Sequence, residues 1–125
     1  MNLNQITIYS TKPTESIEFY QKLGLRLIVD SAPRYVRFEC PDGDTTFSIH
    51  VTDDTNVCTK IVLYFECENL DEEVKRLQNL GLTFEQEPTD ESWLWREAIL
   101  FDPDGNKIKL FYGGENRKNP PWRVQ

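Results

Sequence analysis

The sequence predicts an α+β fold in which one strand–helix–three-strand unit occurs twice. Three observations lead there. Apolar residues alternate at period two in short runs, as in strands with one buried face, and switch to helical spacing in two places. Each helical stretch closes on the same phrase, Leu23-Gly24-Leu25 and Leu80-Gly81-Leu82, 57 residues apart. A turn then returns in the same order, Pro41-Asp42-Gly43 and Pro103-Asp104-Gly105, 62 residues apart, a difference that loop length absorbs. Duplication explains this better than chance, because matching strand and helix patterns lie between the phrases.

The first strand is Gln5–Ser10, where Ile6 and Ile8 alternate with Gln5, Thr7 and Tyr9. Pro13 opens a helix, its fixed φ suited to a first turn, and Ile17, Phe19, Tyr20 and Leu23 recur at helical spacing before Gly24. Strands follow at 25–29, 35–40 and 45–51, the last two joined by the Pro-Asp-Gly turn. Residues 53–59 carry no pattern and read as the connection between repeats 1–52 and 60–112. The second repeat begins with a strand at 60–67. Asn69 is placed to cap a helix whose first turn holds Asp71, Glu72 and Glu73, where carboxylates suit the helix dipole. Leu70, Val74, Leu77 and Leu80 form its buried stripe, and Gly81 ends it. A short strand at 83–86, a loop at 87–92 and a hairpin of 94–101 with 107–112 complete the unit. In the hairpin turn Pro103 presets φ, Gly105 accepts positive φ, and Asp102 or Asn106 can bond the turn backbone. The tail 113–125, with Pro120-Pro121, is excluded from the sheet; Trp122 is expected to dock on the sheet or on a partner subunit.

At 125 residues the chain is expected to be one domain able to bury a core without staples. A net charge of −7, from 21 acids against 14 bases, argues against nucleic acid as a partner. The longest apolar run, 61–65, is too short to span a membrane, and residues 1–10 have no secretory pattern. Cys40, Cys58 and Cys67 are odd in number and form no Cys-x-x-Cys pair, which suits reduced thiols and a cytoplasmic location.

The phrases Ser16-Ile17-Glu18-Phe19-Tyr20-Gln21-Lys22-Leu23-Gly24-Leu25 and Phe101-Asp102-Pro103-Asp104-Gly105-Asn106, within a duplicated unit, resemble the vicinal oxygen chelate superfamily. That group holds glyoxalase I, bleomycin-resistance proteins and extradiol dioxygenases. The resemblance covers residues 3–112 and implies two paired βαβββ units, each curling a sheet around a cavity, and a homodimer. It also implies where a divalent metal would sit in metal-dependent members. The four matching positions here are Gln5, Ser48, Val62 and Lys109. Valine offers no lone pair, and an ammonium repels a cation, so metal-dependent catalysis is disfavoured. A shifted metal site of Gln5, His50 and Glu66 is the alternative, with a glyoxalase-like or dioxygenase-like enzyme as the function it implies.

Alternation then assigns a cavity face: Gln5, Thr7, Tyr9, Tyr35, Arg37, Ser48 and His50 in the first repeat, and Val62, Tyr64, Glu66, Trp95, Glu97, Lys109 and Phe111 in the second. Aromatic walls with a few fixed polar groups are the usual make-up of a small-molecule pocket. Arg37 can grip a carboxylate or phosphate through its planar fork. Lys109 is expected to pair with Glu66, and His50 to be a hydrogen-bonded wall residue. Trp93 and Trp95 fit packing or ligand stacking equally. The expected function is therefore a metal-free protein that holds a small organic ligand. The acidic surface by itself favours a cationic one. A domain kept for assembly alone is the third reading.

Overall fold

In a computed structural model, residues 1–31, 33–56 and 60–124 are described, and they group into two compact units. One contains residues 1–60 together with the Asp102–Gly105 turn, and the other contains residues 61–101 and 106–125. Cys58 lies outside the described residues, and neither Cys40 nor Cys67 is in a disulfide.

The first unit runs β1 (Gln5–Ser10), α1 (Pro13–Lys22), β2 (Arg26–Ser31), β3 (Tyr35–Glu39) and β4 (Thr46–Val51). Its sheet has the order β1-β4-β3-β2, with β1 and β4 parallel and the other pairs antiparallel. Alternation sends Ile8, Val36, Phe38, Phe47 and Ile49 to one face, where they bury with Phe19, Tyr20 and Leu23 of the helix segment. Tyr20 anchors this layer, its ring centred 4.5 Å from Phe47 and 6.5 Å from Phe38. Burying each such ring or aliphatic side chain contributes about 1.5–3 kcal/mol. Gly24 turns the chain out of the helix at φ +104°, a conformation that a Cβ would strain.

The second unit runs β5 (Val62–Glu66), α2 (Leu70–Asn79), β6 (Gln86–Asp90), β7 (Arg96–Phe101), β8 (Lys107–Tyr112) and a short tail helix, α3 (Glu115–Lys118). Sheet order is β5-β8-β7-β6, and β5 is parallel to β8. Leu70, Val74 and Leu77 of α2 bury with Leu63, Ala98, Leu100, Ile108 and Leu110.

Several expectations need correction. The strand predicted at 83–86 is β6 at Gln86–Asp90, which starts on the last residue of that prediction and runs into the predicted loop. This strand contains Pro88, and a proline cannot donate to a ladder. Yet β6 is an edge strand, and its register shifts between Gln86 and Thr89, which accommodates the proline. The next strand starts at Arg96 rather than 94, because Leu94 takes a positive φ of 67° in a tight turn closed by Leu94 N donating to Glu91 O. Leu80 is not part of the buried stripe; it sits at the helix C-cap and is exposed. Asn69 stands at the N-cap but its side chain makes no capping hydrogen bond. Of the two places expected for Trp122, the sheet does not bury it, since the residue is 57% exposed.

Candidate functional site

The face of the first sheet turned away from α1 is ordered by strand register into three cross-strand rows. One row holds Tyr9, His50 and Tyr35; the next holds Thr7, Ser48 and Arg37; the third holds Gln5, Thr46 and Glu39. The first row is a ridge of rings. His50 lies 5.6 Å from Tyr9 and 4.9 Å from Tyr35, centre to centre, and both Tyr9 and His50 are exposed.

The middle row is a hydrogen-bonded strip. Gln5 Nε2 donates to Ser48 Oγ at 2.8 Å, and Thr7 Oγ1 shares a 2.6 Å hydrogen bond with the same hydroxyl. Thr46 Oγ1 donates to Gln5 Oε1, which fixes the amide. Arg37 Nε donates to Tyr35 Oη at 2.8 Å, with the guanidinium carbon 5.4 Å from the Tyr35 ring centre. The Ser48 hydroxyl, opposed by burial and assisted by Arg37, holds the Tyr35 phenol below its ordinary pKa. In the third row Glu39 is committed to Arg26, 2.5 Å away. Seven of the predicted cavity residues, Gln5, Thr7, Tyr9, Tyr35, Arg37, Ser48 and His50, are thus brought together on one face. It remains open to solvent along the ring ridge.

The matching face of the second unit is occupied by its own side chains. Trp95 stacks on Phe111 at 4.7 Å, and Tyr64 meets both edge-on at 6.1 and 5.5 Å. Trp95 Nε1 donates to the backbone oxygen of Asn116 in the tail, which holds the indole in place. Beside this cluster Lys109 Nζ is 3.1 Å from Glu97 Oε1, and Trp93 Nε1 donates to Glu97 Oε2 at 2.9 Å. The ammonium also lies 5.5 Å from the Tyr64 ring centre and 6.0 Å from that of Trp93. Burial alone would lower the Lys109 pKa; the hydrogen bond and charge of Glu97 outweigh it, and the net shift is upward.

Lys109 therefore pairs with Glu97, not with Glu66 as expected. Register leaves both carboxylates diagonal to Lys109, Glu66 across the parallel β5–β8 pair and Glu97 across the antiparallel β7–β8 pair. The tail decides between them. Glu66 Oε2 accepts hydrogen bonds from Gly113 N and Gly114 N, both at 3.0 Å, and Arg117 Nε stands 3.4 Å from Oε1. Glu66 is a staple for the tail.

A further polar cluster went unread in the sequence. Asp104 Oδ1 accepts from Thr11 N and Thr11 Oγ1, both at 2.9 Å, while Oδ2 accepts from Ser10 Oγ at 2.5 Å and Ser16 Oγ at 3.0 Å. It satisfies donors at the β1–α1 junction, where Lys12 at the N-cap supplies no side-chain cap. Tyr20 Oη donates to buried Asp102 Oδ2 at 2.6 Å. Burial, then the Asp102 carboxylate, pushes the Tyr20 phenol far up, so it stays protonated as a donor. The only signal was Ser10, Thr11 and Ser16 flanking a helix start that lacks its own cap.

With this geometry in hand, the comparisons with known proteins decide the family. The sequence profile of the Glyoxalase/Bleomycin resistance protein/Dioxygenase superfamily matches residues 2–110. The chain belongs to that superfamily. A glyoxalase/bleomycin resistance protein/dioxygenase from Nocardioides has TM-score 0.79 at 19% identity, over 100% of this chain and 90% of that one. Lactoylglutathione lyase from Agrobacterium tumefaciens has TM-score 0.71 at 16% identity, over 90% of this chain and 93% of that one. TioX from Micromonospora sp. ML1 has TM-score 0.72 at 15% identity, over 90% of this chain and 98% of that one. At such identities the likeness establishes the fold. No curated protein matches the chain in sequence.

The donor set that metal-dependent members of the superfamily would require does not fit here. Gln5 and Ser48 are hydrogen-bonded to each other, Val62 is apolar, and Lys109 is ion-paired. Gln5 and His50 of the shifted alternative stand four residues apart in register, about 13 Å along the strands. Among the described residues, no group of three or more His, Cys, Asp or Glu side chains is placed to hold a metal ion. No helix of the described residues is long and apolar enough to cross a membrane.

Proposed function

We propose that this protein binds a small organic molecule, without a metal, on the open face of the first sheet. The observation that carries this reading is the pairing of a ring ridge, exposed Tyr9 and His50 with half-buried Tyr35, with a hydrogen-bonded strip, Thr7, Ser48 and Arg37, on adjacent rows. Apolar faces with a few fixed polar groups suit small ligands, since rings supply contact area and polar groups supply orientation. The ion pair of Lys109 with Glu97 supports the metal-free half, because a bound divalent ion would face an ammonium already committed to the nearest buried carboxylate.

Elemental analysis of tag-free protein tests the metal claim. The expected result is less than a tenth of an equivalent of nickel, zinc, iron or manganese. A stoichiometric metal that is lost in His50→Ala overturns it and restores the enzyme reading. Ligand binding is tested by a thermal-shift screen of small organic molecules, because a ligand that binds only the native state raises its melting point. Hits are expected to lose their effect when Thr7 and Ser48 are both replaced by Val; hits indifferent to that change overturn the site. A screen without a single hit leaves assembly alone as the function.

A further inference from the structure

The open face differs in charge from the chain that carries it. The chain has a net charge of −7, but the carboxylate on this face, Glu39, is already neutralised by Arg26. Arg37 commits only its Nε, to the Tyr35 phenol; its Nη1 and Nη2 make no hydrogen bond or ion pair with any described residue. Two parallel N–H groups in one plane match a carboxylate bidentately. The rest of the site narrows the anion. One guanidinium balances a single negative charge, so a monoanionic carboxylate is matched more closely than a dianion such as a phosphate ester. The ring ridge begins one row away, about 6.6 Å along the strands at about 3.3 Å per residue. Tyr35 belongs to both features, since it orients Arg37 through its hydroxyl and flanks His50 with its ring.

We infer that the ligand is an arylalkanoate, an aromatic ring joined through a short chain to a carboxylate, with the carboxylate on the Arg37 fork and the ring on the Tyr9–His50–Tyr35 ridge. This rests on the binding function proposed above and adds the ligand's charge and shape. A carboxylate borne directly on the ring reaches one feature but not both, whereas two or three intervening bonds span the rows. A cation of the same shape meets the guanidinium head-on. The net acidity of the chain does not steer the choice, because it is screened beyond about 8–10 Å while Arg37 acts at contact.

The test is calorimetric titration of the full chain with benzoate, phenylacetate, 3-phenylpropionate, hexanoate and 3-phenylpropylamine, with amide chemical-shift mapping of the bound face. Expected are shifts confined to β1, β3 and β4, and tightest binding for 3-phenylpropionate. Benzoate and hexanoate should be at least tenfold weaker, and the amine silent. Arg37→Gln should weaken 3-phenylpropionate at least tenfold, Arg37→Lys should restore part of the loss, and His50→Ala should narrow the gap between 3-phenylpropionate and hexanoate. Equal melting points among the variants show that the fold is intact. Should Arg37→Gln lower the melting point, the comparison of amine with acid on the unaltered protein decides alone. Binding of the amine as tight as that of the acid, or no binding of any arylalkanoate at millimolar concentration, overturns the inference. If a neutral or cationic molecule from the thermal-shift screen maps to the same face, the binding function stands and only the ligand class fails. If no molecule of any charge perturbs that face, both fail.

Discussion

The ammonium of Lys109 is held 3.1 Å from a carboxylate, Glu97, that is almost wholly buried. Removing one partner of such a pair strands the other charge away from water, which costs far more than the pair contributes as a unit. Lys109→Met should therefore destabilise the protein by about 3–5 kcal/mol, and Lys109→Met with Glu97→Leu should recover much of the loss. Urea melts of the two single variants and the double variant measure this directly. Equal destabilisation in the single and double variants would refute it.

The same pair sets an alkaline limit. A lysine whose pKa is raised on folding contributes its full stabilisation below the unfolded value, about 10.4, and loses it as pH climbs through the higher folded value. Stability measured between pH 9 and pH 12 should fall more steeply in the parent protein than in the double variant.

Asp104 sets the acid limit. Burial raises its pKa, but hydrogen bonds from Ser10, Thr11 and Ser16 outweigh that and the net shift is downward. Its stabilisation is present above the unfolded value, about 3.9, and disappears as pH falls through the lower folded value. Asp104→Ala should cost about 2–4 kcal/mol at pH 7, because several donors at the start of α1 lose a charged acceptor. Asp104→Asn should show a shallower loss of melting temperature between pH 6 and pH 2.5 than the parent.

Glu66 tethers residues 113–117 through two backbone amides and Arg117. Glu66→Ala should release the tail without opening the sheet. Trypsin should then cleave after Arg117 and Lys118 several times faster, while amide exchange in β7 and β8 stays as slow as in the parent. Unchanged cleavage would mean that the tail is held by other contacts.

Gly113 is fixed by its neighbour. A Cβ there would lie 3.0–3.2 Å from the indole of Trp95. That ring cannot withdraw easily, since Phe111 stacks on it and Asn116 accepts its N–H. Gly113→Ala should cost about 1–3 kcal/mol through overpacking and change the near-ultraviolet circular dichroism of the tryptophans. A silent substitution would show that the tail yields instead.

Much of this was legible from residue order. The two helices and β1 and β8 follow from periodicity because each has one buried and one open side, and Leu-Gly-Leu marks both helix ends by local backbone demand. The seven residues on the first sheet's open face could be named because strand alternation is strict once one residue is placed. β6 has no apolar alternation to read, since Gln86–Asp90 is polar apart from Pro88, and the proline is tolerated there because the strand lies at an edge. The partner of Lys109 was misassigned because Glu66 and Glu97 are equally diagonal to it, and only the tail, which shows no periodicity, breaks the tie. Asp104 was read as a turn residue alone, since nothing local reveals that its carboxylate serves a helix start more than eighty residues earlier.

The grouping of Asp102–Gly105 with residues 1–60 has a consequence for synthesis. When residue 60 leaves the ribosome, all four strands and the helix of the first unit are present, but Tyr20 Oη and the Ser10–Thr11–Ser16 donors still have no carboxylate to meet. The missing turn emerges several seconds later at roughly 5–20 residues per second. During that interval the nascent unit exposes a half-satisfied polar seam, and it completes its hydrogen bonding only when most of the second unit has been made. An arrest-peptide force profile should accordingly show its main folding peak once residue 105 clears the exit tunnel, and no peak of comparable height near residue 60.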